Sequence, residues 1–118
     1  MYNIQGGMIF MNLGWRIWLS KEDSRIFGKG PKELLLRTES MGSLRKAAMS
    51  MNMSYSKAWN LISNLEKALE IRILDKTIGG IDGGSSTLTQ EGKELIRKYE
   101  ELEKRVEEAV LKIYEEIF

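Results

Sequence analysis

Residues Gly42 to Thr89 read GSLRKAAMSMNMSYSKAWNLISNLEKALEIRILDKTIGGIDGGSSTLT, and this stretch decides the fold. Gly42 breaks what precedes it, and the Ser43 hydroxyl can accept from a backbone N–H of a following first turn, so a short helix is predicted over Leu44–Met51. Its Ala47 and Ala48 are small enough to let a crossing helix come close. Asn52 stands where that helix must stop, and asparagine tolerates the left-handed backbone used there. Ser54 caps a longer helix ending near Leu69. The apolar positions Ala58, Ile62, Leu65 and Leu69 recur at spacings of four, three and four, one stripe toward a core. Ile71–Ile78 and Ser85–Leu88 then flank GGIDGG as the strands of a glycine-tipped hairpin. Short helix, tight turn, longer helix and hairpin, in that order, make a winged helix-turn-helix.

Upstream, Met11–Ser20 (MNLGWRIWLS) alternates Trp15, Ile17 and Leu19 with Arg16, Trp18 and Ser20, the period of a half-buried strand. Lys21–Ser24 is a polar turn and Arg25–Phe27 a short return strand, broken by Gly28-Lys29-Gly30. Pro31 sits in the first turn of a helix, where its missing N–H costs nothing. Leu34, Leu35 and Leu36 give that helix its core face, to about Glu39. Downstream, Thr89 caps a last helix whose Glu91 suits the positive end of the dipole. Leu95, Tyr99, Leu102, Val106, Ala109 and Ile113 alternate at spacings of four and three along it, a heptad seam. A helix of that length cannot bury its stripe on so small a domain. A partner chain is the expected cover, with folding back over its own domain as the alternative.

The division expected is a flexible extension over residues 1–10, a DNA-binding domain with an N-terminal hairpin over 11–88, and a dimerisation helix over 89–118. The fold class is mainly α with small β-hairpins. Hydrophobic residues make up 42% and charged ones 30% of the 118, values of a globular chain. With no histidine and no cysteine, the usual metal and thiol chemistry loses its main ligands and nucleophiles, so no catalytic residue, metal or cofactor is expected. The N-terminus has no basic n-region and no cleavage pattern, and no run reaches the ~18 apolar residues of a membrane helix. A cytoplasmic protein is expected.

The formal net charge is only +1, but it is unevenly spread. No acid lies between Glu39 and Glu66, while Arg45, Lys46 and Lys57 fall inside that gap. A phosphate backbone responds to the local field, because salt screens charges beyond ~10 Å. The helix after Ser54 is therefore the candidate reader of double-stranded DNA. Ser54, Tyr55, Ser56, Lys57, Asn60 and Asn64 stand within reach of base edges and phosphates, with Ser43, Arg45 and Lys46 toward the backbone. Ser54 reads equally as a cap alone, and Tyr55 equally as core. Trp59 is read as packing, since it adjoins the apolar stripe. In the wing, Gly79, Gly80, Gly83 and Gly84 permit close approach to phosphate, and Lys76, Ser85 and Ser86 can add contacts; a merely flexible tip is the other reading. Gly79 and Gly84 also have the spacing of a nucleotide-binding loop, but Ser85 replaces the required lysine and a strand follows in place of a helix.

The pieces Gly42-Ser43, Ala47-Ala48, Met53-Ser54-Tyr55, Ala58-Trp59, Gly79-Gly80, Gly83-Gly84 and Leu88-Thr89 with Gly92 together resemble the DNA-binding domain of ModE-type molybdate-responsive transcriptional regulators. The resemblance spans about residues 12 to 100. The Ser43–Ala48 and Thr89–Gly92 pieces are also similar to LysR-type regulators, a broader relative. The resemblance implies a homodimer paired through helices on a two-fold symmetric operator. It does not extend to the family's C-terminal oxyanion-binding domains, so molybdate binding by residues 1–118 is not expected. The function expected is a sequence-specific DNA-binding transcriptional regulator. A winged-helix module that docks a partner or sensor subunit is the alternative.

Overall fold

The computed structural model describes residues 2–3, 10–77 and 85–118. Its elements are β1 (Tyr2–Asn3), β2 (Phe10–Met11), β3 (Leu19–Lys21), β4 (Ser24–Phe27), α1 (Lys29–Met41), α2 (Leu44–Ser50), α3 (Tyr55–Leu69), β5 (Leu74–Thr77), β6 (Ser85–Leu88) and α4 (Gln90–Ile117). The strands pair antiparallel as β1–β2, β3–β4 and β5–β6. This is a winged helix-turn-helix, mostly helical, with a long last helix. By internal contacts the chain divides into a unit over Trp18–Ile96 and a second over Met1–Ile17 with Arg97–Phe118.

The Trp18–Ile96 unit opens with a hairpin whose loop is Glu22 and Asp23, both at positive φ (50° and 66°). That is what a two-residue loop needs to match the strands' twist. Extended Gly28 then precedes α1, and the Lys32 N–H bonds back to the Gly28 carbonyl at 3.0 Å. The first turn therefore already includes Lys29 and Gly30, which the sequence suggested as a break. Gly42, at φ 71°, ends α1 in the left-handed region and returns its N–H to the Thr38 carbonyl at 2.8 Å. α1, α2 and α3 close on a core of Phe27, Leu34, Leu35, Leu44, Ala47, Ala48, Ala58, Ile62 and Leu65, joined by Ile73, Leu74 and Leu88 below the wing. One buried polar group is Thr38, whose hydroxyl donates to the Leu34 carbonyl at 2.7 Å and so needs no outside partner.

Two strand expectations are corrected. Met11–Ser20 is not one strand: its ends lie in β2 and β3, and residues 12–18 have no regular structure. Alternation alone does not make a strand, because the ladder needs a partner, and β4 pairs only with Leu19–Lys21. The first wing strand begins at Leu74, three residues later than the β-branched run from Ile71 predicts. Glu70 ends α3 at φ 55°, and the Glu66 carboxylate takes the N–H groups of Ile73 at 2.7 Å and Leu74 at 3.3 Å. Donors bonded to a helix side chain cannot also enter a ladder from Ile71 onward. Ile78 falls outside the described residues.

The wing is tied down at both strands. The Ser86 N–H donates to the Gly42 carbonyl at 3.0 Å, which joins β6 to the turn between α1 and α2. Thr89 caps α4 by accepting from the Gly92 N–H at 3.0 Å, while its own N–H donates to the Ile73 carbonyl at 2.9 Å. At Gly92 a Cβ would stand 2.6 Å from that carbonyl oxygen, so only glycine lets α4 start this close to the wing.

The other unit holds the β1–β2 pair and α4 from Arg97 on. Tyr99 is buried and its hydroxyl donates to the Ile17 carbonyl at 2.8 Å. Along this part of α4 the Glu101 carboxylate pairs with Arg97 at 3.3 Å and Arg105 at 3.8 Å, exposed pairs of small energetic weight. The Tyr114 and Phe118 rings stack 5.1 Å apart. Leu102 and Ile113 of the predicted seam remain 39% and 53% exposed, Ala109 is exposed, and Leu95 and Val106 are half-buried.

Candidate nucleic-acid interface

The helix-turn-helix is built by two serine caps. The Ser43 Oγ accepts from the Lys46 N–H at 3.1 Å and the Ser54 Oγ from the Lys57 N–H at 3.1 Å, each starting its helix. Between them Asn52 takes φ 55°, the tight turn its residue type allows. Arg37 fastens α1 to the end of α2: its guanidinium donates to the Ser50 carbonyl and hydroxyl, both at 3.0 Å, and meets Glu33 at 2.8 Å. Arg37 thus serves the scaffold, and α2 and α3 carry the exposed cations Arg45, Lys46 and Lys57.

On α3 the buried positions are Ala58, Ile62 and Leu65. The opposite stripe, Lys57, Asn60, Asn64 and Lys67, is exposed along its whole length. Ser56 is exposed as well, and so are Arg45 and Lys46 on α2. Tyr55 is not core. It stands 36% exposed at the first position of α3, and the Arg45 guanidinium lies over its ring at 4.3 Å from the centroid. The structure thus joins two residues that the sequence places on separate helices. Ser43, by contrast, is buried, with its oxygen engaged in the cap.

Trp59 corrects the sequence reading. It is 45% exposed, where packing was expected. Each helical residue advances by about 100°, so Trp59 is turned well away from buried Ala58 and stands on the same side as Tyr55, four residues earlier. The helical angle was available in the sequence; how wide the core stripe would be was not.

In the wing, Lys76 is paired in register with Ser86 and Thr77 with Ser85. Ser85 is exposed and Ser86 is buried. Gly79, Gly80, Gly83 and Gly84 lie outside the described residues. At the base of the wing Arg72 and Asp75 form an exposed pair at 3.0 Å. Among the described residues no group of three or more His, Cys, Asp or Glu could hold a metal ion, and no helix is long and apolar enough to cross a membrane.

The arrangement presents the N-terminal half of one helix with hydroxyl, amide and ammonium groups outward, in a segment without acids. Such groups pair with base edges and phosphates. Comparison with known proteins gives the family to which this helix-turn-helix is similar. The family model described as bacterial regulatory helix-turn-helix protein, lysR family, matches residues 33–93, just over half of the chain. Transcriptional regulator ModE of Haemophilus influenzae is 32% identical over 76 residues, covering 64% of this chain and 30% of that protein. Molybdenum transport protein ModE of Azotobacter vinelandii is 27% identical over 107 residues, covering 91% of this chain and 37% of that protein. The DNA-binding transcriptional dual regulator ModE of Escherichia coli K12 is 32% identical over 59 residues, half of this chain and 22% of its own length. The chain thus spans little more than a third, at most, of these relatives.

Proposed function

Because the chain belongs to the lysR family of bacterial regulatory helix-turn-helix proteins, we propose that it is a transcriptional regulator that binds double-stranded DNA as a homodimer on a two-fold symmetric operator. The observation that carries the reading is the outer face of α3, with Ser56, Lys57, Asn60 and Asn64 exposed inside a segment free of acids from Ser40 to Leu65. Asparagine pairs bidentately with adenine, and lysine with guanine or phosphate. Arg45 and Lys46 reach the phosphates beside α3. The wing lies along the backbone, with Lys76, Ser85 and the glycines of its tip as the contacting residues.

The dimer is assigned to α4. Leu102 and Ile113 leave apolar surface in water along the Leu95–Ile113 seam, and covering such surface with the same helix of a second copy stabilises by ~25 cal/mol per Å². A two-fold pair would place its reader helices ~34 Å apart, one DNA turn, or a multiple of it. Molybdate binding is not assigned to these residues, because the helix N-terminus that could attract an anion at this surface is given to DNA.

The test is selection of bound sequences from random duplex DNA, followed by titration of the selected duplex at rising salt. The expected result is an inverted repeat whose affinity falls steeply with salt, with a slope of ~0.9 for each neutralised phosphate. Recovery of no common sequence, with salt-independent binding, would point to a module that docks a protein.

A further inference from the structure

We propose that Trp59, with Tyr55 and Arg45, forms a thymine-reading edge on α3: the indole meets the C5-methyl group of a thymine in the major groove while Arg45 holds a neighbouring phosphate. This rests on α3 being the DNA-reading helix and adds the base that it reads. Tyr55 and Trp59 are four residues apart in one helix, so they stand one above the other on one side of it. Both are exposed, Trp59 the more so. Neither is a residue a helix leaves in water for its solubility, and both lie in the acid-free segment.

Arg45 defines what lies beside them. Its guanidinium rests 4.3 Å from the Tyr55 ring centroid, within the range of a cation–π contact. Such a contact uses the flat face of the guanidinium. The N–H donors in its plane stay available for a phosphate, which they match bidentately. A fixed cation therefore stands at the entrance of α3, where the strand backbone passes a helix lying in the major groove.

Once that helix is in the groove, the indole has few possible partners. Major-groove edges carry donors and acceptors, and one apolar group, the thymine methyl. An indole offers a broad apolar surface and a single N–H donor. The methyl is the group that fits it without leaving a polar atom dry. Asn60 follows Trp59 directly and is exposed, and its amide suits adenine. Consecutive in the chain and about 100° apart around α3, the two residues suit different positions in a run of A·T pairs, one reading a purine and the other a methyl.

The test starts from a duplex selected with the parent protein. Each thymidine is replaced in turn by deoxyuridine, which removes one methyl group and nothing else. One replacement should lower the affinity of the parent about fourfold, as for the loss of one buried carbon. Trp59→Ala should bind the two duplexes alike, whereas Trp59→Phe should keep part of the dependence. A purely structural Trp59 would weaken binding to both duplexes by one factor and leave the methyl dependence intact, and that result overturns the proposal. Since the chain holds three tryptophans, Trp15→Phe with Trp18→Phe leaves Trp59 as the only indole, in a protein whose α3 is unaltered. Duplex binding should then shield it from acrylamide quenching; unchanged quenching in the bound state also overturns the proposal. If no duplex is selected at all, the DNA reading itself falls. If one is selected but binds independently of every methyl, only the role of Trp59 falls.

Discussion

Replacing Gly92 with alanine puts a methyl group where α4 passes the base of the wing. The new Cβ would lie 2.6 Å from the Ile73 carbonyl oxygen and 3.4 Å from its carbon and Cγ2. That oxygen cannot withdraw freely. It accepts from the Thr89 N–H at 2.9 Å and the Thr89 hydroxyl at 3.2 Å, and the Ile73 N–H is held from the other side by Glu66 at 2.7 Å. Relief requires α4 or the Ile73 peptide to move by several tenths of an ångström. Overpacking of this kind costs about 1–3 kcal/mol, and stretching a hydrogen bond at Ile73 adds on the order of 1 kcal/mol. Alanine's better helix propensity returns about 1 kcal/mol. The clash wins, and Gly92→Ala should lose about 2 kcal/mol net, roughly 8 °C in Tm for a chain of this size. Gly30→Ala is the control. It also lies in a first helical turn, but has no heavy atom within 4 Å of its Cβ site. It should be neutral or stabilising by up to about 1 kcal/mol. Thermal and urea unfolding of the two variants test the argument. If Gly92→Ala melts with the parent or above it, the close approach does not hold α4 to the wing.

Glu66→Ala removes the acceptor of two backbone donors at buried Ile73 and Leu74, and urea unfolding should show a loss of about 2 kcal/mol; Glu66→Gln, which keeps an acceptor oxygen, should lose less. On the DNA side, Lys57→Ala should reduce the log–log salt slope of duplex binding by ~0.9 if the ammonium meets phosphate. Asn60→Ala should instead reduce discrimination between selected and altered sites by ~1–3 kcal/mol. Should both variants bind every duplex like the parent, α3 is not the reader. Leu102→Asp with Val106→Asp puts like charges into the α4 seam and should yield monomers in sedimentation, with operator binding greatly weakened. A dimer that survives this pair would place the interface elsewhere.

What was legible in the sequence was what a few neighbouring residues decide. Ser43 and Ser54 each start a helix by accepting the N–H three residues on, and Asn52 turns at positive φ, so the boundaries of α2 and α3 could be read from five or six letters each. The strands could not be read this way. Met11–Ser20 has a strand's alternation, but β4 reaches only Leu19–Lys21, and nothing in the alternating residues states how long their partner is. Ile71-Arg72-Ile73 has β-branched residues, yet Glu66, five to seven positions upstream, bonds the N–H at Ile73 and delays the wing. The glycine in LT-x-x-G could be recognised as part of a pattern. Its cause, the Ile73 carbonyl just ahead of β5 and 2.6 Å from where a Cβ would stand, comes only with the tertiary structure.

The candidate interface divides along the same line. The gap in acids between Glu39 and Glu66 is a property of the string, and the exposed Lys57–Asn60–Asn64–Lys67 stripe follows from its spacing of three, four and three by helical geometry. The Arg45–Tyr55 contact required α2 and α3 to be packed first. Trp59 shows why periodicity alone misassigns an aromatic. Its angle on the helix lies at the border of the apolar stripe, and the sequence reading gave it to packing because it adjoins that stripe. The small core residues Ala47, Ala48 and Ala58 close the space between the helices without it. Burial is thus settled by how wide a stripe the neighbouring helices cover, and here the cover stops short of Trp59. A large apolar ring at the border of the core stripe therefore stays exposed, at the edge of the face that carries the lysines and asparagines.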